Sequence, residues 1–293
     1  MAKFALGAHL GSESVRVLVV DIKDGRIAGN AVERYVDPGK RDDWLSSLAA
    51  AAHAALREGG IDANAVIGIG LAGALLDRGN WIVDQLNARG TQLLYLPDGI
   101  AISPAAGEAR ASVPGAGVAS PSTLVMLLSR AGRCLLNSRI AKVVPGVDGP
   151  IENGILPGYF AYEFEHSAQD GDRAAMESSA FSLRSIVETM RDAGVHVRRF
   201  VASGELSHST RLMQIYADVL GEKIKLAQSD HPAALGAAIL GSLAAGPQIT
   251  GYAQMSQAIH AMARQRHPIA YRPDLAQRKA YEQAYQLRRG SGG

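Results

Sequence analysis

The sequence predicts an α/β protein made of two lobes with a cleft between them. A chain of 293 residues exceeds the roughly 100 to 200 residues of a typical single domain. Each half also follows the order strand, strand, strand, helix, strand, helix, strand, helix, which is typical of an α/β lobe. We place the lobes at residues 1–117 and 118–289, followed by a flexible tail at residues 290–293.

Three β-rich runs open the first half. The runs Phe4–Leu10 and Val15–Ile22 meet at a turn of small residues, Gly11–Ser14, and the third run covers Arg26–Tyr35. A helix with an apolar stripe is predicted from about Asp43 to Glu58, where two glycines end it. The later elements of this half are a strand at Val66–Gly70, a helix at Trp81–Ala88, a strand within Leu93–Leu96 or Ile100–Ser103, and a helix from Pro104 to about Ser112.

The second half repeats this order and contains a turn-rich insertion after its second strand. Its strands are predicted at Thr123–Leu128, Arg133–Asn137, Arg199–Ala202 and Ile224–Ala227. Its helices are predicted at Arg173–Ala193, after Ser207 as N-cap, and at Pro232–Ala245 with Asp230 as cap. A last helix, Ala276–Arg288, carries Tyr281 and Tyr285 on one face, and we expect both rings to dock on the lobe.

Charge, hydropathy and cysteine content argue against several classes of function. The net charge of +2 comes from 30 basic and 28 acidic residues without charge runs, so no nucleic-acid partner is predicted. No apolar run approaches the roughly 18 residues that span a bilayer, so no membrane partner is predicted. Cys134 is the single cysteine of the sequence and cannot form an internal disulfide, which indicates a cytoplasmic protein.

Three segments resemble carbohydrate kinases of the FGGY family, and within it the ribulokinases most. They are Gly154–Tyr159, Leu212–Val219 and Ala234–Gly241. The resemblance implies two RNase H-like lobes of the actin, Hsp70 and hexokinase type, with nucleotide in the cleft and sugar deeper. It also implies ATP-dependent phosphorylation of a ketose or polyol. The family's usual chain is nearly twice as long, and the part missing here, around Leu71 to Leu94, supplies much of the family's sugar pocket.

The first family motif is an Asp that helps place magnesium, followed by a Gly-Thr-x-Ser turn that holds phosphate. Here the turn contains Gly11, Ser12 and Ser14, and His9 stands in the place of the Asp. Because magnesium prefers oxygen ligands, the resemblance implies ATP or ADP at this turn but no metal site. A plain hairpin turn without a ligand is the alternative.

Two further family motifs are altered. The second phosphate loop corresponds to Ser129, Arg130 and Gly132, where Arg130 either contacts phosphate or is a surface residue. The catalytic Asp corresponds to Glu108, whose extra methylene moves the carboxylate oxygens by about a bond length. Because a misplacement of about 1 Å can cost on the order of a hundredfold in rate, Glu108 is either a weak base or a solvated acid on a helix surface.

The adenosine motif is kept more fully. The family has two glycines after a strand so that the purine can approach the backbone, and this chain has Ser203, Gly204 and Glu205 there. The sequence has no cysteine and histidine cluster with metal spacing, no Walker A loop and no serine-hydrolase elbow.

Three functions remain open at this point. The chain is an active sugar kinase with Glu108 as base, a pseudokinase that keeps a ligand site, or an assembly protein that uses the kinase fold without a ligand. The altered motifs and the shortened chain favour weak or absent catalysis. Nucleotide and a small sugar are the predicted partners, and a homo-oligomer is compatible with the sequence.

Overall fold

The computed structural model of the chain forms two compact units. Unit 1 consists of Met1–Ala119 and His231–Arg264, and unit 2 consists of Ser120–Asp230 and Gln265–Gly293. The units therefore differ from the predicted lobes at residues 231–264, which the sequence analysis assigned to the second lobe. The structure describes residues 2–37, 39–73, 94–97, 99–129, 132–137, 159–164 and 172–291.

Unit 1 contains a five-stranded mixed sheet. Its strands, in chain order, are β1 (Phe4–Leu10), β2 (Ser14–Asp21), β3 (Ile27–Arg34), β4 (Val66–Ala72) and β5 (Ala101–Ile102). They lie in the order β3-β2-β1-β4-β5, with β1, β2 and β3 antiparallel and β1, β4 and β5 parallel. The predicted strands of this half are confirmed, and of the two alternatives for the last one the second is correct.

Helices cover both faces of this sheet. Helix α1 (Arg41–Gly59) packs on β2 and β3 and ends where Gly60 adopts a left-handed conformation. Helices α2 (Glu108–Gly115) and α5 (Pro232–Ala244) pack against each other, and α5 also lies on β1 and β4. The unit also contains a 3-10 helix, Ala63–Ala65, and two short helices, α6 (Pro247–Thr250) and α7 (Met255–Met262).

Glycines let α5 lie directly against the backbone of the sheet. A Cβ atom at Gly7 would lie 2.0 Å from the carbonyl oxygen of Ala234, and one at Gly70 would lie 1.8 Å from that of Ala237. No side chain fits at these distances. The small-residue sequence of α5 therefore reflects close backbone packing within unit 1.

Unit 2 contains a six-stranded mixed sheet in the order β11-β10-β9-β6-β7-β8. Its strands are β6 (Thr123–Leu128), β7 (Gly132–Asn137), β8 (Tyr159–Phe164), β9 (Arg199–Ser203), β10 (Ile224–Ala227) and β11 (Gln265–Tyr271). Strands β6, β9 and β10 run parallel, which brings their carboxyl ends to one edge. The helices are α3 (Arg173–Asp192), α4 (Thr210–Leu220) and α8 (Leu275–Ser291), with a 3-10 helix at Glu205–His208.

Large side chains fill the core of unit 2, in contrast to the glycine contacts of unit 1. Tyr216 and Phe200 are among the largest fully buried side chains. Helix α8 docks on this core because Tyr281 and Tyr285 are buried and Phe181 stacks on Tyr285 at 5.7 Å between ring centroids. The predicted docking of the last helix is confirmed.

Two predicted helix starts and one predicted cap are wrong, whereas the predicted start of α5 at Pro232 is correct. Ser207 does not cap α4, because residues 205–208 form a separate 3-10 helix and the side chain of Ser209 accepts the Leu212 N–H instead. His231, not Asp230, occupies the N-cap position of α5. Helix α2 begins at Glu108, four residues after the predicted Pro104. The helix predicted at residues 81–88 and the turn-rich insertion at residues 145–158 lie outside the described residues.

Among the described helices, none is by itself long and apolar enough to cross a membrane. The segments Pro232–Ala244 and Pro247–Met262 pass a test of length and composition as a pair, with a bend of 106° between them.

Candidate functional site

The turn between β1 and β2 is a tight hairpin at one edge of the unit 1 sheet. The Gly11 N–H donates to the Ser14 carbonyl oxygen at 2.9 Å, and the Glu13 carbonyl oxygen accepts from the Tyr35 N–H at 2.9 Å. The predicted turn Gly11–Ser14 is therefore present, with the side chain of Ser12 exposed to solvent.

His9 lies just before this turn, on the face of the sheet that α5 covers. It pairs across the strands with Arg16 and with Ala72, and it points to the same face as Gly7 because side chains alternate along a strand. The Arg16 guanidinium donates to the Asn30 side-chain oxygen at 2.8 Å, and burial lowers the pKa of Arg16. An imidazole and a guanidinium thus occupy adjacent strands where the family resemblance implies a carboxylate.

Glu108 starts α2 at the same edge of the sheet. Ala106 forms a parallel bridge with Ala72, whose other neighbour across the strands is His9. Neighbouring strands lie about 4.8 Å apart, so the backbones of His9 and Ala106 are separated by roughly 10 Å. The structure therefore brings His9, the hairpin turn and the half-buried Glu108 to one edge of unit 1.

Ser112 lies one helical turn after Glu108 on the same face of α2. Its hydroxyl is fully buried and has no hydrogen-bond partner among the described residues. Sequence reasoning missed this residue because a serine in a small-residue helix carries no signal of its own.

The predicted turns of unit 2 meet at the carboxyl ends of β6 and β9. Gly204 has a positive φ of 99°, and a Cβ atom there would lie 2.5 Å from the Leu128 carbonyl oxygen. Ser129 follows Leu128 directly, and Gly132 pairs with Leu128 across the β6–β7 hairpin. Ser129, Gly132 and the turn from Ser203 to Glu205 therefore share one edge of unit 2.

Two side-chain ties join this edge to the segment after β10. The Ser203 hydroxyl donates to the Ser229 carbonyl oxygen at 2.7 Å, and His208 Nε2 lies 3.0 Å from Asp230 Oδ2. No sequence pattern indicates the second tie, because its members are 22 positions apart and come together only through the pairing of β9 with β10.

Each unit thus contains some of the predicted site residues: the turn Gly11–Ser14 and Glu108 lie in unit 1, and Ser129, Gly132 and Ser203–Glu205 lie in unit 2. That both groups border one cleft remains a prediction. Arg130 lies outside the described residues. In the described part of the chain, no three histidine, cysteine, aspartate or glutamate side chains are grouped so that they could hold a metal ion.

Comparison with known sequences bears on these observations. Residues 165–245 match the C-terminal domain of the "FGGY family of carbohydrate kinases". The ribulokinase of Bacillus licheniformis is 26% identical over 265 residues, which cover 64% of this chain and 48% of the relative, and that of Geobacillus thermodenitrificans is 27% identical over 272 residues, which cover 66% and 48%. The resemblance to FGGY carbohydrate kinases is confirmed. The chain spans about half the length of the curated ribulokinases it matches.

Solved structures of FGGY-type sugar kinases share the fold. A gluconate kinase from Lactobacillus acidophilus superposes with a TM-score of 0.76 at 10% identity and covers 98% of this chain and 97% of its own. A xylulose kinase from Rhodospirillum rubrum gives a TM-score of 0.73 at 14% identity, with 97% of both chains covered. The predicted α/β fold with two RNase H-like lobes is confirmed.

Proposed function

We propose that this chain is an FGGY-type kinase homologue that binds adenine nucleotide weakly and phosphorylates sugar weakly or not at all. The observation that carries the proposal is His9. It stands at the carboxyl end of β1, beside the hairpin turn, where the family resemblance implies an Asp. The cross-strand neighbour of His9 is Arg16, so this edge of the sheet presents nitrogen groups to a ligand.

The turns of unit 2 support the nucleotide part of this proposal. The backbone of Gly204 packs against the end of β6, and a glycine carries no side chain that could obstruct a purine at this turn. Ser129 and Glu205 are exposed beside it. A glycerol kinase from Plasmodium falciparum, solved with ADP, shares the fold with a TM-score of 0.64 at 10% sequence identity.

Magnesium does not fit the residues at the unit 1 edge. Mg²⁺ takes oxygen ligands in octahedral geometry, and the imidazole of His9 is a poor substitute for a carboxylate. Positive groups attract phosphate directly, and an arginine forms charge-assisted hydrogen bonds with it. We therefore propose that ADP or ATP binds without a metal requirement, with His9 and Arg130 near the phosphates.

Calorimetric titration with ADP, with and without magnesium, tests this proposal. Histidine side chains gain charge below about pH 6.5, so we expect ADP binding to strengthen as the pH falls from 8 to 6. Arg130→Ala should weaken the binding. A magnesium requirement, or no binding heat at any pH in this range, would contradict the proposal. The second result would favour an assembly protein that uses the kinase fold without a ligand.

An active L-ribulose-type kinase is the second candidate. It is favoured by the position of Glu108, because the structure brings this carboxylate to the same edge as the hairpin turn. In this reading Glu108 accepts the proton of the sugar hydroxyl as it attacks the γ-phosphate. A coupled assay of ADP release with L-ribulose decides between the two, since robust release that Glu108→Ala abolishes is expected only of the active kinase.

A further inference from the structure

Two ties connect the turn after β9 to the segment after β10. The inner tie is the hydrogen bond from the Ser203 hydroxyl to the Ser229 carbonyl oxygen, and both residues are buried. The outer tie is the contact between His208 Nε2 and Asp230 Oδ2 at 3.0 Å. These ties hold residues 203 and 208, the first and last residues of the turn that includes Gly204.

The turn between the ties is closed by hydrogen bonds of its own. The Gly204 carbonyl oxygen accepts from the Ser207 N–H at 3.0 Å and from the Ser207 hydroxyl at 2.7 Å. The Leu206 carbonyl oxygen accepts from the Ser209 N–H at 3.1 Å. Because the inner tie and these bonds are largely buried, the outer tie is the part of this arrangement that a surface substitution can remove without opening the core.

We propose that His208 and Asp230 form a positioning pair that holds the Gly204–Leu206 turn in the conformation that accepts a nucleotide. This inference rests on the nucleotide binding proposed above. A turn that is already ordered loses less conformational freedom when a ligand binds, so the pair strengthens binding without touching the ligand. The carboxylate of Glu205 is carried by the same 3-10 helix as His208.

The size of the effect follows from the exposure of the pair. The side chains of His208 and Asp230 are 46% and 33% exposed. Pairs of side chains that are this exposed contribute only modestly to stability. We expect removal of either partner to raise the Kd for ADP about threefold to fivefold, in keeping with that modest contribution. The fold should persist, because neither side chain belongs to the buried core.

The test compares His208→Ala, Asp230→Asn and the double variant by calorimetric titration with ADP and by amide hydrogen exchange at Ser207 and Ser209. Both single variants should weaken ADP binding and speed amide exchange in the turn. The double variant should show no larger change in Kd or exchange rate than either single variant. His208→Lys keeps a nitrogen donor opposite Asp230 and should therefore show the wild-type Kd.

The ion pair between Arg191 and Glu222 in unit 2 provides a matched control. Arg191 and Glu222 lie 2.7 Å apart with side-chain exposures of 37% and 34%, similar to those of the proposed pair. Glu222→Gln should leave both the Kd for ADP and the exchange at Ser207 unchanged. If it weakens ADP binding as much as His208→Ala does, the effect is one of general stability and the inference is overturned.

The outcomes separate this inference from the proposed function. If the wild type binds ADP and the His208 and Asp230 variants bind it equally well, the positioning pair is refuted and nucleotide binding stands. Failure of His208→Lys to restore affinity also refutes the pair, because it assigns the effect to the imidazole itself. If the wild type does not bind ADP, the proposed function fails and the positioning role fails with it, whatever the exchange data show.

Discussion

The two sheet edges that carry the candidate site differ in how strongly folding constrains their residues. In unit 2, Gly204 is required by the backbone, since its φ is positive and the Leu128 carbonyl oxygen occupies the space of a side chain. In unit 1, His9 is half-buried at the carboxyl end of β1, and its φ is not positive. The family-like glycine is thus explained by folding as well as by ligand binding, whereas the backbone makes no such demand at position 9.

This difference limits what the glycine at position 204 says about ligand binding. Losing a backbone feature that the fold requires costs folding free energy, whereas surface substitutions away from such features usually cost little. A chain can therefore keep the shape of the nucleotide-side turn and lose the groups that place magnesium. Whether the conformation of the turn and the groups that place magnesium vary independently can be tested by substitution.

Cys134 offers a probe that reports on unit 2 alone, and its protection is the largest effect we expect. Burial raises the pKa of Cys134 to about 12. At pH 8 the reactive thiolate should therefore be roughly a thousandfold scarcer than for an ordinary cysteine. Reaction with a thiol reagent should be negligible in the native protein and complete in denaturant. Rapid labelling of the native protein would show that β7 opens readily.

Gly204→Ala should destabilise unit 2 by about 2 to 4 kcal/mol, because backbone strain and a clash with Leu128 act together. The free energy of unfolding can be followed in urea through the labelling of Cys134. Nucleotide binding should weaken as well, since the turn can no longer keep its conformation.

Gly60→Ala is the matched control for this substitution. Gly60 also has a positive φ, of 59°, but no atom lies within 4 Å of the position that a Cβ would take. The control should cost only about 1 to 2 kcal/mol from backbone strain. Equal losses in the two variants would mean that the contact with Leu128 is unimportant, and the comparison of the two edges would lose its basis.

Restoring the family residues in both units should have a smaller effect. We expect a variant with His9→Asp, Glu108→Asp and a Gly-Thr-Ser-Thr loop at residues 129–132 to gain no more than about tenfold in ribulose phosphorylation, or about 1.4 kcal/mol. The reason is that the family resemblance implies the loss of part of the sugar pocket around residues 71–94. The measurement is coupled ADP release with L-ribulose, and vigorous turnover would show that charge, and not the shortened region, limits the wild type.

The sequence predicted most elements because local patterns specify them. Strands Phe4–Leu10, Thr123–Leu128 and Ile224–Ala227 begin and end at the predicted residues, as expected where alternating or buried apolar runs meet turn residues. The start of α4 was predicted wrongly, for a different reason. Ser207 and Ser209 can both cap a helix, and the choice depends on the 3-10 helix that follows the unusual conformation of Gly204.

The location of α5 and the contacts of the site depend on long-range packing, which a single sequence does not reveal. Helix Pro232–Ala244 is apolar on nearly every side, so its pattern marks burial without indicating the sheet it covers. Its place in unit 1 follows from glycines such as Gly7 and Gly70, more than 160 positions earlier in the chain. The pairing of His208 with Asp230 has the same origin in the neighbouring positions of β9 and β10.

Glu108 gives the smallest expected effect, and it distinguishes a helix-surface acid from a catalytic base. The residue lies in the first turn of α2, whose N-cap residue Gly107 provides no side-chain cap. A negative charge there stabilises the helix by about 0.3 to 1 kcal/mol. If Glu108 is a surface acid, Glu108→Asp should keep this contribution, and Glu108→Gln should lose it at low ionic strength.

Urea denaturation at low and high salt measures this difference, because added salt screens the interaction of an exposed charge with the helix end. The difference between Glu108→Gln and the wild type should therefore shrink at high salt. A base behaves otherwise, since residues placed for chemistry often cost stability and their removal can raise it. If Glu108→Gln makes the protein more stable and abolishes a measurable release of ADP with sugar, the carboxylate is functional and the active-kinase reading replaces the one proposed here.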